Sequence, residues 1–353
     1  MVSTAVRAEV PRTTTPPALR TRITRRVLAP VTATLTAVTV ACAVVATVGG
    51  TVPLMVQVVP FAVSILVFGL PHGALDHLVP ARLLPGTSVA RSIAVVVLLY
   101  LVVGTGTAVL WGAAPLVGFW VFIGVTWFHW GQGDLFVDRL LDEGGVGRGE
   151  AALTVATRGA LPMLVPFVAH PVAATTVVTG TVDVLRPGPH SAGIDTVPGP
   201  VRLALAALVL VLVALHVVAA HRTGRARRPA TEDLVLLAFF AVVPPVLAVG
   251  LYFTLWHAVR HVLRLELTDP VAADALFDGR LWAPFLQFLR QAWPVTAIAV
   301  AMLVVLALVV GRADLGVYLV LIAALTTPHT VVVSWMDHVQ RTWRDPAALP
   351  HSP

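Results

Sequence analysis

Apolar residues run through this chain in blocks of about twenty, separated by short polar stretches rich in Arg, Pro, Gly and Asp. A helix rises about 1.5 Å per residue, so a block of that length crosses a hydrocarbon layer roughly 30 Å thick. Such blocks lie at 28–48, 53–75, 91–112, 115–131, 152–170, 200–220, 232–257, 292–311 and 315–336. The stretch 171–185 is a further candidate, crossing or re-entrant. No alternation of period two and no internal repeat stands out. Helices satisfy their own backbone groups in lipid, so the pattern predicts an all-α fold, a polytopic transmembrane helical bundle of about 8–10 spans. Residues 1–27, polar, Thr/Pro-rich and basic, read as a disordered cytoplasmic tail. Residues 28–340 then form one multi-span domain, and 341–353 a C-terminal tail.

Composition removes several classes of function. Hydrophobic residues make up 57% of the 353 and charged residues only 12%, which excludes a soluble domain. There is no Lys, so no retinal or pyridoxal phosphate can be held as a lysine Schiff base, and a rhodopsin-like photoreceptor is excluded. The net charge of +6 sits on Arg residues at span ends and tails, which suits anionic lipid better than nucleic acid. By the positive-inside rule the chain is a multi-pass protein of the cell membrane with a cytoplasmic N-terminus. The one cysteine, Cys42, rules out an internal disulfide and a thiolate cluster, so any metal takes nitrogen or oxygen ligands.

The polar residues that remain inside the apolar blocks are mostly histidines. His257 and His261 are four apart, and on a helix they share a face, a chelating edge for a transition metal. The second block ends in Pro71-His72-Gly73 followed by Asp76 and His77, and the fourth in Phe128-His129-Trp130-Gly131 followed by Asp134. The last contains Pro328-His329-Thr330 and finishes at Asp337-His338. Seven of the twelve histidines thus fall in four motifs. Ionisable groups in spans are costly, so their repetition favours a metal site over interfacial histidines. Asp76 and Asp134, each about one turn past a histidine, read as acids that orient an imidazole, and Arg260 as the partner of one of them or of a lipid headgroup. Trp130 and Trp256 are placed to line a pocket, with His77, His329 and His338 as pocket or outer-layer candidates. One conflict arises. A single seventh span over 232–257 would end on the opposite face from spans two and four, unless 171–185 crosses, Pro244-Pro245 breaks the span, or the site lies deep; a deep site is the expectation.

Taken in order, Gly69-Leu-Pro71-His72-Gly73-Ala74-Leu-Asp76, Phe128-His129-Trp-Gly131-Gln-Gly-Asp134, Trp256-His257-Ala-Val-Arg260-His261 and Thr327-Pro328-His329 with Trp335-Met336-Asp337 resemble the motifs of the Brp/Blh family. The resemblance covers about residues 53–340 and implies a membrane enzyme that cleaves β-carotene with O2 into two retinals. It further implies a non-haem Fe(II) cofactor on His72, His129, His257 and His261, substrate entering from the lipid bilayer, no nucleic-acid partner, and a functional link to a retinal-binding rhodopsin. Two positions depart from the family pattern: Trp130, where Phe is common, and Thr330, where an apolar residue is usual. Both are expected to reshape the substrate tunnel. The rival readings are a histidine-box desaturase or hydroxylase, disfavoured by a single HxxxH pair, a haem-ligating redox protein, and a proton-relaying transporter.

Overall fold

The long apolar blocks fold as helices, and prolines mark where several of them start, since the first turn of a helix has no use for the missing N–H. The computed structural model describes residues 16–64, 66–67, 70–141, 147–185, 196–225, 227–311 and 315–343. Its main helices are α1 (Pro17–Thr47), α2 (Leu54–Ser64), α3 (Val89–Ala113), α4 (Pro115–Leu141), α5 (Arg148–Ala169), α6 (Pro171–Asp183), α7 (Gly199–Arg222), α8 (Arg227–Val242), α9 (Pro245–Glu266), α10 (Trp282–Val310) and α11 (Leu315–Val339). Short helical turns at Leu70–Gly73 and Pro270–Phe277 link them, and no strand occurs among the described residues. The protein is a multi-pass, all-α membrane bundle.

Among the described residues seven helices are long and apolar enough to cross a membrane: α1, α3, α5, α7, α9, α10 and α11. The other expected spans are α4, which is long but carries the polar residues of the site, and the shorter α2 and α8. The stretch 171–185 forms α6, whose 13 residues are short of the roughly 20 a crossing needs. Helix α1 starts at Pro17, inside the stretch expected to be tail, and its Leu19 and Ile23 are buried in a cluster with Val137 and Leu263. Residues 1–15 and 344–353, to which most of the expected tails belong, lie outside the described residues.

Burial separates an inner set of helices from an outer one. The most apolar window of α5 is 78% buried and that of α9 72%, against 11% for α3, 17% for α7 and 6% for α10. The outer helices therefore present apolar faces to lipid, and the inner ones carry the polar residues.

The expected span 232–257 is two helices, not one. The chain turns back at Val243 and Pro244, and Phe240 meets Tyr252 with ring centroids 5.2 Å apart. Glu232 of α8 comes within 3.8 Å of Arg260 of α9. Residues 28 apart in one straight helix would be separated by roughly 40 Å, so α8 and α9 are an antiparallel hairpin. Pro245 cannot donate to the preceding turn and its ring excludes continued helix there. The reversal removes the conflict over sides, because α2, α4, α9 and α11 all now run in one direction.

Helices α4 and α5 approach more closely than side chains allow. A Cβ on Gly131 would overlap the Val155 backbone, and one on Gly159 would overlap the Trp127 carbonyl. Small residues at such crossings are how membrane helices gain contact without a hydrophobic driving force. The Trp127 indole N–H donates to the Ala156 carbonyl at 2.7 Å beside the crossing. Gly159→Ala is expected to cost about 1–3 kcal/mol by forcing the helices apart, read as a lower unfolding midpoint in detergent. Gly124→Ala, with no atom within 4 Å of the new methyl, should leave the midpoint unchanged or slightly raised, and equal losses in both would refute the crossing as the cause.

Candidate metal centre

Four segments running in parallel bring their histidines to one depth. His72 sits in the turn Leu70–Gly73 that follows α2, His129 in the middle of α4, and His329 just after Pro328 in α11. His257 lies in a π-helical stretch of α9, Tyr252–Ala258, and His261 in the α-helical stretch Val259–Glu266 behind it. The wide turns shift the register of an ordinary helix, a feature common at functional sites. Both rings reach the ring of His72, at centroid separations of 5.6 Å and 5.5 Å. All five imidazoles are only 1–7% exposed, so they are interior groups and not interfacial ones.

The donor set fits a metal. Ligand atoms of His72, His129 and His257 lie within 4.8 Å of one another. The Nε2 atoms of His129 and His257 face each other at 3.2 Å. Two nitrogens bound at about 2.1 Å to one ion would sit roughly 3.0–3.4 Å apart, so the pair is spaced as ligands are. Nε2 of His261 and of His329 is buried with no hydrogen-bond partner among the described residues. Such atoms are costly to bury unless something else uses the lone pair. His261, His329 and Asp76 form a second group within 4.8 Å, but it is continuous with the first, since the His329 ring lies 4.7 Å from that of His129 and 4.9 Å from that of His72.

The acids act differently from what their spacing suggested. Asp76 does orient an imidazole, but it is that of His329: Nδ1 donates to Asp76 Oδ2 at 2.7 Å, and the Tyr100 hydroxyl donates to the same oxygen at 2.7 Å. Asp134 holds no imidazole. It accepts from the Trp256 indole at 3.0 Å and pairs with Arg260 at 3.1 Å. Arg260 also lies 3.7 Å over the Trp256 ring, which fixes the face of α9 that carries His257. Asp337 accepts from Arg264 at 2.7 Å, Gln132 at 2.8 Å and Trp343 at 3.0 Å, tying α4, α9 and α11 together. Farther out, Arg158 pairs with Glu232 at 2.9 Å and Asp233 at 3.0 Å, and Asp233 accepts from His216 at 2.7 Å.

Sequence reasoning did not find Tyr100, Gln132, Arg264 or the Arg158 group. The signal for Arg158 was present, a lone charge inside the block 152–170. His216 is buried and belongs to that group. His77 bonds the Ala74 carbonyl of its own turn at 2.9 Å, and His338 is exposed.

On the opposite side of the imidazoles from these ion pairs lies a cavity of about 160 Å³. His72, His129 and Trp130 form part of its wall, with Phe61, Phe122, Phe253 and other apolar groups around them. Trp130 stacks on Phe253 at 5.9 Å and leans on His257 at 5.5 Å. Trp256 is not in that wall, being turned to Asp134. Nor is Thr330, whose hydroxyl donates to the Thr326 carbonyl of its own helix at 2.8 Å, so of the two departures only Trp130 shapes the cavity.

Comparison with known proteins points one way. The family described as beta-carotene 15,15'-dioxygenase matches residues 63–337. The probable beta-carotene 15,15'-dioxygenase Blh of Halobacterium salinarum is 43% identical over 296 residues, 80% of this chain and 84% of the relative. The probable beta-carotene 15,15'-dioxygenase Brp of the same organism is 28% identical over 323 residues, 84% of this chain and 88% of the relative. No solved structure gives a significant match.

Asp337→Ala is expected to destabilise the protein by about 3–5 kcal/mol, because it leaves the Arg264 guanidinium buried without its counter-charge. Thermal unfolding in detergent measures this, and a loss under about 1 kcal/mol would mean that the triple junction is not structural.

Proposed function

This chain belongs to the β-carotene 15,15′-dioxygenase family, and from that membership we propose that it cleaves the central double bond of β-carotene with O2 into two molecules of retinal, at iron(II) held by His72, His129, His257 and His261. The observation that carries the reading is the meeting of an imidazole cluster with an apolar cavity: two of the four proposed ligands, His72 and His129, are part of the cavity wall. The metal, when bound, supplies the activation of O2 for scission of an alkene. Imidazole suits iron among several divalent metals, and the choice of iron follows the family.

The chain's own residues do the rest. The aromatic and aliphatic wall binds a polyene and offers water nothing to bond with. A substrate dissolved in the bilayer enters laterally between helices, which accounts for an enzyme built inside the membrane. Trp130, packed against both Phe253 and His257, sets the width of the cavity next to the ligands and so bears on which carotenoid fits. Asp134 and Arg260 lock the helix that bears His257. No side chain is assigned as a general base, since scission of an alkene by O2 transfers no proton that demands one.

A haem finds little support here. The imidazoles spaced as axial ligands would be, His72 and His129 at 6.4 Å and His129 and His261 at 6.2 Å, have the His329 ring within 4.9 Å of each member, in the space a macrocycle would have to fill.

Expression in a bacterium that accumulates β-carotene should bleach the cells and yield retinal by chromatography. His257→Ala should remain in the membrane fraction while losing bound iron and retinal formation together. Persistent colour with well-inserted wild-type protein, or substantial cleavage by His257→Ala, would defeat the proposal. Trp130→Phe should keep its iron and change the relative yields from carotenoids of different ring size; an unaltered profile would remove Trp130 from specificity.

A further inference from the structure

We infer that His329 is a fifth imidazole ligand of the same metal, with Asp76 and Tyr100 as the residues that position it. The inference rests on the reading of the cluster as a metal site and adds to it. The His329 ring stands among three of the four proposed ligands: its centroid lies 4.9 Å from that of His72, 4.7 Å from that of His129 and 4.9 Å from that of His261. Those three ligands stand farther from one another, at 5.5 Å for His72 and His261, 6.2 Å for His129 and His261 and 6.4 Å for His72 and His129. A ring that sits closer to the ligands than most of them sit to each other is inside their sphere.

Its chemistry is prepared for ligation. Nδ1–H is committed to Asp76 Oδ2 at 2.7 Å, which fixes the tautomer and leaves the lone pair on Nε2. That Nε2 is buried and has no hydrogen-bond partner among the described residues. The outer nitrogens of His129 and His257, Nδ1 in both, lack a partner among the described residues, so His329 is better held than either. Tyr100 donates to the same carboxylate oxygen at 2.7 Å and keeps it aimed. Gly73 closes the other side: a Cβ there would come within 3.3 Å of His329 Nδ1, so the absence of a side chain lets the ring lie flat against the turn that carries His72. A purely structural histidine at this place would need an acceptor or donor for Nε2, and none is described. Five nitrogen donors leave one open position on a six-coordinate metal, against two with four donors.

The test uses the full chain purified in detergent and loaded with Co(II), whose visible d–d bands strengthen as coordination number falls. Wild type should bind one Co(II) with weak, high-coordination bands. His329→Ala should bind it about 10–100-fold more weakly or with stronger, shifted bands, and added imidazole should restore the wild-type spectrum by filling the space. If His329→Ala does not insert, Asp76→Asn takes its place and should weaken Co(II) affinity by about 10–100-fold. A wild-type spectrum and affinity in His329→Ala or in Asp76→Asn, while His257→Ala loses the ion, would overturn the fifth ligand and leave the four-histidine site standing. If wild type binds no Co(II), or His257→Ala keeps a wild-type spectrum, the metal site and this inference fail together.

Discussion

Arg158, Arg260 and Arg264 are almost fully buried inside the bundle, and the architecture around the site follows from the need to pair them. An arginine at the centre of a membrane helix costs about 2.5–3.5 kcal/mol even on the most lenient scale, so each must be met by an acid inside the protein. Arg260 takes Asp134 and the face of Trp256, Arg264 takes Asp337, and Arg158 takes Glu232 and Asp233. The acids come from α4, α8 and α11, so the same pairs that neutralise the charges also lock those helices to α5 and α9. Buried pairs of this kind add little net stability, but breaking one is costly, and they hold a single register.

That register sets the site as a layer. Along α4, α9 and α11 the turns before the histidine line the apolar cavity and the turn or two after it carries the ion pairs, with Trp130 and Trp256 next to the histidines as exceptions: Phe122 and Asp134 on α4, Phe253 and Arg260 on α9, Ile322 and Asp337 on α11. The imidazoles stand between. On one side they face a space suited to a hydrocarbon, and on the other a rigid polar support that keeps their helices from sliding. The division lets an oxygen-dependent reaction on a lipid-soluble substrate occur next to charged groups without exposing those groups to the cavity.

Much of this was legible in the chain itself. Block length settled helices and a membrane, and the absence of Lys and the single Cys narrowed the chemistry. His72 and His129 stand in local motifs whose Gly and acid neighbours set them apart, and His257 and His261 are set apart by their spacing of four. These are properties of composition and short spacing, which a sequence displays directly.

What the tertiary structure decided were the pairings. Asp76 is four residues from His72 yet holds His329, 253 positions away, because the turn at Leu70–Gly73 directs the carboxylate toward α3 and α11. Tyr100 and Gln132 gained roles only when α3 and α4 were set against α11. The reversal at Pro244 and Pro245 looked like one long span, since hydropathy cannot tell a helix from a hairpin of two helices without a polar turn. Local spacing sets which residues share a helix face, whereas which faces meet depends on the packing of the whole bundle, and that packing brings His329, expected in the pocket or an outer layer, into one cluster with His72, His129 and His261.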